Sequence, residues 1–314
     1  MQQSFLAGLL AALCAVLVWG LQFPVAKDIF AVLDPFHTTL LRYLVAIVVI
    51  VPVFALREGV QALHYGGRGV QIATIGALGM SVSPLLVFSG VSMIGAEHGS
   101  VIVALQPSVM AITQWVLFRK RPSNFTLGCM VTAFMGVLAV VTRGENPLAA
   151  APRELIGSVC VLGGGFCWIY YTLGVERFPR WSTWRITVLT MIPGTLATLL
   201  ITGALVCVGT LTLPSMGAVL SVGWELTFLG FFGVVVGMLA WNFGTKRIGP
   251  LNSMLLTNLI PVVTFSYRAL QGHAFLPIEI VGATIVVLAL VANNLYLRWR
   301  HIRARLEIPL AVVS

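Results

Sequence analysis

The residues of this chain that could do chemistry are few, and they form no catalytic set. Asp28 and Asp34 are its only aspartates, and both sit beside the first predicted outer connection. Neither His-Glu-x-x-His nor Gly-x-Ser-x-Gly occurs, so a zinc-bound water and an activated serine both lack their usual carriers. Gly163-Gly164-Gly165 falls inside a long apolar run, where it packs a helix and cradles no phosphate. Cys14, Cys129, Cys160, Cys167 and Cys207 show no Cys-x-x-Cys spacing and lie among apolar neighbours, as small buried hydrophobes do. The sequence thus offers no recognisable catalytic set, metal site or cofactor motif, and an intramembrane enzyme is the least favoured expectation.

What remains is a small number of polar side chains set in apolar sequence. An ionisable group at a bilayer centre costs about 2.5 to 3.5 kcal/mol on insertion scales, so function is sought where such groups persist. Arg42 is placed roughly 10 to 12 Å into the second run, counted at the helical rise, where it can meet a substrate carboxylate or anchor a neighbouring helix. Glu97 and His98 open the fourth run and Glu225 the eighth, and their chemistry suits proton coupling. Arg185 and Arg268, near run ends, are expected to snorkel. Gln22, Gln106, Gln114, Asn242 and Asn258 are neutral hydrogen-bonding groups at mid-run depth, and Trp19, Trp168, Tyr170, Tyr171 and Trp241 can supply aromatic walls. A cavity with apolar walls and few polar anchors fits a small amphipathic solute. From these groups the expected substrate site is Trp19, Gln22, Arg42, Gln106, Trp168, Tyr171, Trp241, Asn242 and Asn258. Each amide could equally join helices, and each aromatic could equally lie in an interfacial belt.

The elements that must position these residues are membrane helices. Hydrophobic residues make up 58% of the 314 positions and charged residues 9%, against roughly a quarter charged in soluble domains. A span needs about 20 mostly apolar residues. Ten such runs lie near 5–26, 35–56, 70–90, 97–118, 124–142, 155–174, 182–208, 222–244, 250–270 and 277–298. The runs do not alternate polar and apolar residues as barrel strands do. The first has no basic residue before it and reads as a retained span, not as a signal peptide. The expected fold is therefore all-α, integral to the membrane.

Sorting the basic residues by side explains the net charge of +9. With the N-terminus inside, Arg57, Arg68, Arg119, Lys120, Arg121, Arg177, Arg180, Lys246, Arg247, Arg298, Arg300, Arg303 and Arg305 fall inside, against Lys27, Arg143, Arg153 and Arg268 outside. This is the positive-inside bias. It predicts a multi-pass inner-membrane (plasma-membrane) protein with both termini cytoplasmic, and it makes nucleic acid an unnecessary partner.

Sliding the chain against itself by 154 residues superposes 69–137 on 223–291 and pairs Gly69 with Gly223, Gly76 with Gly230, Gly79 with Gly233, Gly90 with Gly244, Gly95 with Gly249, Gly128 with Gly282 and Pro107 with Pro261. Composition alone would give about one glycine match at most. The first spans align more loosely, Leu17-Val18-Trp19 with Phe166-Cys167-Trp168. Five spans is an odd number, so the second copy enters from the opposite side. The predicted architecture is two inverted five-helix repeats, 5–142 and 155–298, with a cytoplasmic tail over 299–314. Inverted repeats recur in secondary transporters, with the substrate site near the midplane between them. Gly233-x-x-x-Gly237 and its mate Gly79-x-x-x-Ser83 suit close helix packing. Pro107 and Pro261 occupy equivalent helices and are hinge candidates, although a kink there could also serve only to shape a cavity.

Trp19-Gly20-x-x-Phe23-Pro24, then Pro35 followed by Arg42, Val236-Gly237-Met238-Leu239-Ala240-Trp241-Asn242 running into Lys246-Arg247-Ile248-Gly249-Pro250, and Asn258-Leu259-Ile260-Pro261-Val262-Val263 together resemble the ten-span EamA-type members of the drug/metabolite transporter superfamily. The likeness spans essentially the whole chain. It departs where members often carry Gly-Glu after the fourth and ninth spans: here those places read Phe118-Arg119-Lys120 and Gln271-Gly272-His273. The resemblance implies a central cavity and, commonly, export of amino acids or related metabolites. The expected partners are a small-molecule substrate and the lipid bilayer, and a homo-oligomer is compatible with the sequence. A channel or a sensory membrane domain is the alternative, but no carboxylate ring or filter sequence is present.

Overall fold

A computed structural model describes residues 2–119, 121–143 and 152–306, and no strand occurs among them. Lys120 and residues 307–314, the end of the predicted tail, lie outside the described residues. Water is scarce around such apolar sequence, so each backbone donor must be satisfied within its own segment, and the chain winds into helices. These are α1 (Gln2–Ile29), α2 (Pro35–Glu58), α3 (Gly69–Ile94), α4 (Ala96–Val103), α5 (Gln106–Phe118), α6 (Asn124–Val141), α7 (Pro152–Val175), α8 (Thr183–Cys207), the short α9 (Met216–Ser221), α10 (Gly223–Ile248), α11 (Pro250–Leu256), α12 (Leu259–Leu270) and α13 (Pro277–Leu306). Polar caps start several of them. The Asp34 carboxylate accepts from Phe36 N at 2.8 Å and His37 N at 3.0 Å, with Pro35 in the first turn of α2, and Ser123 and Ser182 cap α6 and α8.

Among the described residues, eight helical stretches are long and apolar enough to cross a membrane: Ser4–Ile29, Pro35–Glu58, Gly69–Ile94, Ala96–Val116, Asn124–Val141, Pro152–Val175, Thr183–Cys207 and Gly223–Ile248. Each coincides with a predicted run. The ninth run is not one helix. It divides at Thr257-Asn258 into α11 and α12, of seven and twelve residues. The tenth contributes the apolar stretch Pro277–Asn293 of α13, which then continues without a break to Leu306, into the segment read as tail.

Several departures from regular helix fall at, or within a few residues of, positions 154 apart. Residues Ala77–Val82 of α3 and Phe228–Val236 of α10 are wound as π-helix. Gly95 and Gly249 turn one helix directly into the next with φ of 95° and 83°, a backbone that L side chains rarely adopt. The breaks at Ala104-Leu105 and Thr257-Asn258 precede Pro107 and Pro261, whose missing N–H groups fall in the first turn of the helix that follows, where no intrahelical bond is lost.

The packing repeats in the same way. Helix α3 lies along α7, and α1 along α10. A methyl on Gly90 would strike Gly157 O and Val161, and one on Gly244 would lie 2.8 Å from both Gly8 O and the Ala12 side chain. Likewise Gly76 abuts Thr190 O, and Gly230 abuts Arg42 O. Without side chains at these points the backbones approach closely, and dispersion between them holds the bundle together in place of a water-driven effect.

Candidate functional site

The π-helical turns, both helix breaks and the aromatic stretch of α1 surround one cavity of about 90 Å³. From α1 it is lined by Trp19, Gln22 and Phe23, from α2 by Arg42 and Tyr43, and from α3 by Gly79, Met80, Ser83, Pro84, Val87 and Phe88. Val103 and Gln106 flank the first break, and Trp168 comes from α7. Gly233, Val234 and Met238 come from α10, and Thr257 and Ile260 flank the second break. The lining follows the 154-residue offset: Gly79 with Gly233, Met80 with Val234, Pro84 with Met238, Val103 with Thr257 and Gln106 with Ile260.

Trp19, Gln22, Arg42, Gln106 and Trp168 were expected in the site and line it. Tyr171, Trp241, Asn242 and Asn258 lie outside the lining. Trp241 is fully buried behind the two lining tryptophans, 5.1 Å from the Trp19 ring and 5.8 Å from that of Trp168. Tyr171, also fully buried, stacks on Trp168 at 5.0 Å with planes 16° apart. Trp19 and Trp168 meet edge to face at 5.1 Å. The Trp19 indole N–H donates to Gly233 O at 2.9 Å, inside the π-helical turn. Tyr170 stands apart, exposed, with its hydroxyl 3.5 Å from Thr74.

Asn242 serves this second layer. Its amide donates to the Tyr171 hydroxyl and to Thr187 Oγ1, both at 2.8 Å, joining α10, α7 and α8. Asn258 sits at the second break, 3% exposed, with both side-chain polar atoms buried and without partners. The lining residues missed by the sequence reading, Phe88 and Thr257 foremost, are an ordinary apolar residue and a threonine with nothing in the sequence to mark them.

Arg42 is the one charged lining residue. It is 5% exposed, and its guanidinium lies over Phe88 at 4.3 Å and near the Tyr43 ring at 5.1 Å. Its Nη1 donates to Gln22 Oε1 at 3.4 Å, the Tyr43 hydroxyl is a further hydrogen-bonding neighbour, Nε is buried without a partner, and none of the ion pairs among the described residues includes it.

Two polar collars flank the bundle, away from the cavity. In the first, Glu97 Oε1 accepts from Arg268 Nε at 2.7 Å, with Asp28 3.8 Å from the same guanidinium. Arg268 is thus tied to a carboxylate where snorkelling was expected. Next to it, His98 Nε2 lies 3.2 Å from Glu279 Oε1, both side chains buried, and Arg143 is 3.7 Å from the same oxygen. Glu279 also caps α13 by accepting from Leu276 N at 2.9 Å. In the second collar, Arg185 donates to His64 O at 2.6 Å while lying over Trp181, Arg68 donates to Arg177 O at 3.2 Å, and Lys246 donates to Trp181 O. Glu97 and His98 therefore meet basic and acidic partners outside the cavity. Glu225, in the first turn of α10, is half-buried and joins neither collar.

Comparison with known proteins places this geometry. The model of the EamA-like transporter family matches residues 6–142 and again 155–295. The uncharacterized transporter YrdR of Bacillus subtilis is 28% identical over 295 residues, covering 93% of this chain and 92% of that one. A protein of Escherichia coli named a probable amino-acid metabolite efflux pump is 24% identical over 307 residues, 92% of this chain and 95% of its own. A solved crystal structure at 21% identity shares the fold, with a TM-score of 0.66 over 95% of this chain and 98% of that one. With eight helices able to span a bilayer and a family model matched over both halves, the chain is a multi-pass membrane protein and belongs to the EamA-like transporter family.

Proposed function

We propose that this protein is a secondary transporter that exports amino acids or related small metabolites across the inner (plasma) membrane by alternating access through the cavity lined by Trp19 and Trp168. The proposed frame is ten spans, arranged as inverted repeats over 5–142 and 155–298, with both termini cytoplasmic. Supporting it are the matched helix breaks, π-helical turns and glycine contacts at a fixed offset, and the basic residues gathered at one set of connections. The name of the Escherichia coli relative supports amino-acid metabolites as cargo and efflux as direction.

The observation that carries the proposal is the cavity itself: a mid-bundle chamber whose walls come from both halves in near-equivalent positions. In such a frame, rocking one half against the other opens the chamber to either side in turn. The two collars are the proposed gates. The His98–Glu279 and Glu97–Arg268 pairs would part for the outer opening, and the Arg185–His64 and Arg68–Arg177 contacts for the inner one. Pro107 and Pro261, beside the two breaks, are the proposed flexing points, and Glu97 and His98 the proposed proton-coupling groups. Asn242, Tyr171 and Trp241 support the site from behind, and Asn258, with an unsatisfied amide at the break, is a group that a rearranged state could bring into it.

Purified protein reconstituted into liposomes loaded with a labelled amino acid panel tests this. Saturable efflux with counterflow is the expected result; no flux of any amino acid or metabolite in either direction, under any ion gradient, contradicts it.

A further inference from the structure

From the unpaired guanidinium of Arg42 in an acid-free aromatic chamber, we infer that the cavity selects a net-anionic ligand: a monocarboxylate on an apolar or aromatic body, with no free ammonium group. The inference rests on the cavity being the transport site, and it narrows the cargo to acids and amine-blocked amino acids over zwitterions.

Three observations converge. Arginine keeps its charge in proteins, and a buried cation left without a counter-charge is strongly unfavourable. Here Phe88 and Tyr43 lie against the guanidinium, a cation–π arrangement worth only a small part of that cost, and its hydrogen-bonding neighbours, Gln22 and the Tyr43 hydroxyl, are neutral and bring no counter-charge. The remaining compensation has to come from something that enters the cavity.

The rest of the lining says what that is. It contains no aspartate and no glutamate, so an ammonium group would find no counter-ion within it. The nearby carboxylates are committed elsewhere: Glu97 to Arg268 and Glu279 to His98. The single positive charge matches a single negative one, whereas a phosphate carrying two would leave one uncompensated. Trp19, Trp168, Met80 and Met238 complete a wall for an apolar body, and the planar fork of arginine suits the two oxygens of a carboxylate.

The third observation is asymmetry. Gly230 abuts Arg42 O as Gly76 abuts Thr190 O, so Thr190 holds in the second half the packing place that Arg42 holds in the first. Thr190 is fully buried, bonds to Ile186 O within its own helix and does not line the cavity. The packing role of this position is thus met by a threonine, and the guanidinium adds something the scaffold does not need.

The test is equilibrium binding to the full-length protein in detergent, with N-acetylphenylalanine, phenylalanine and phenylalanine amide as probes, read by calorimetry. The expected result is that N-acetylphenylalanine binds at least about tenfold more tightly than either of the others, as charged hydrogen bonds imply. Arg42→Gln should erase that preference and Arg42→Lys should keep part of it, with monodisperse elution confirming folding. Should Arg42→Gln fail to fold, the three-ligand comparison on the native protein decides alone. Equal or weaker binding of N-acetylphenylalanine, or an undiminished preference in folded Arg42→Gln, overturns the inference. Flux of free amino acids without anion preference would sink the inference and leave the transport proposal standing; tight acid binding without flux would do the reverse.

Discussion

Trp19 and Trp168 pack edge to face on the cavity wall, ring centroids 5.1 Å apart and planes at 89°, each from the first long helix of its half of the chain. Edge-to-face pairs gain about 0.5 to 1.5 kcal/mol beyond the area they bury. Trp241 and Tyr171 pack behind them, so the lining aromatics are held from the rear.

Trp168→Ala should therefore weaken substrate affinity by about tenfold or more and lower the apparent Tm, by less than the about 3 to 5 kcal/mol of a fully buried aromatic because Trp168 is only partly buried. Trp168→Phe should retain stability and lose less affinity. Titration calorimetry and thermal unfolding in detergent separate the two effects.

Asn242 joins three helices one layer behind the lining. Asn242→Ala strips Tyr171 and Thr187 of a donor and should destabilise the protein by about 1 to 3 kcal/mol, the usual cost of an orphaned buried polar group. Because the amide lies outside the lining, affinity should change by less than about threefold, as the same pair of measurements would report.

The close backbone approaches predict a contrast among glycines. Gly244→Val pushes into Gly8 and Ala12 and should lower stability by about 1 to 3 kcal/mol or prevent assembly. Gly128→Ala has nothing within 4 Å of the added carbon and should be neutral. Apparent Tm and the yield of monodisperse protein check both.

Cutting the collar should change rate before affinity. Arg268→Glu leaves Glu97 facing a like charge, and the exchange Glu97→Arg with Arg268→Glu should restore most of the lost transport. A double-mutant cycle on efflux rate reads the coupling, and purely additive effects would remove the pair from the gating account.

Much of the fold is legible in the sequence because helices in lipid must bury backbone polarity and leave long apolar runs. All eight helices of spanning length fall on predicted runs, and Pro107 and Pro261 mark the places where the fourth and ninth runs break. The site is legible only by depth. Gln106 and Asn242 both read as mid-run amides, yet one lines the cavity and the other ties helices behind it. The choice depends on which way each side chain faces around its helix, and the π-helical turns over Ala77–Val82 and Phe228–Val236 shift that facing without any marked change in composition. Glu279 escaped notice because a carboxylate in the first turn of a helix reads as a cap. It is one, and its other oxygen meets His98, 181 residues away.

The central claim is that the chamber lined by Trp19 and Trp168 is the site of a carrier, and counterflow in proteoliposomes tests it most directly. With excess unlabelled substrate inside, labelled substrate outside should enter in a transient, saturable overshoot that Trp168→Ala abolishes in folded protein. A flux that rises linearly with concentration, shows no overshoot and is indifferent to Trp168→Ala would contradict the account.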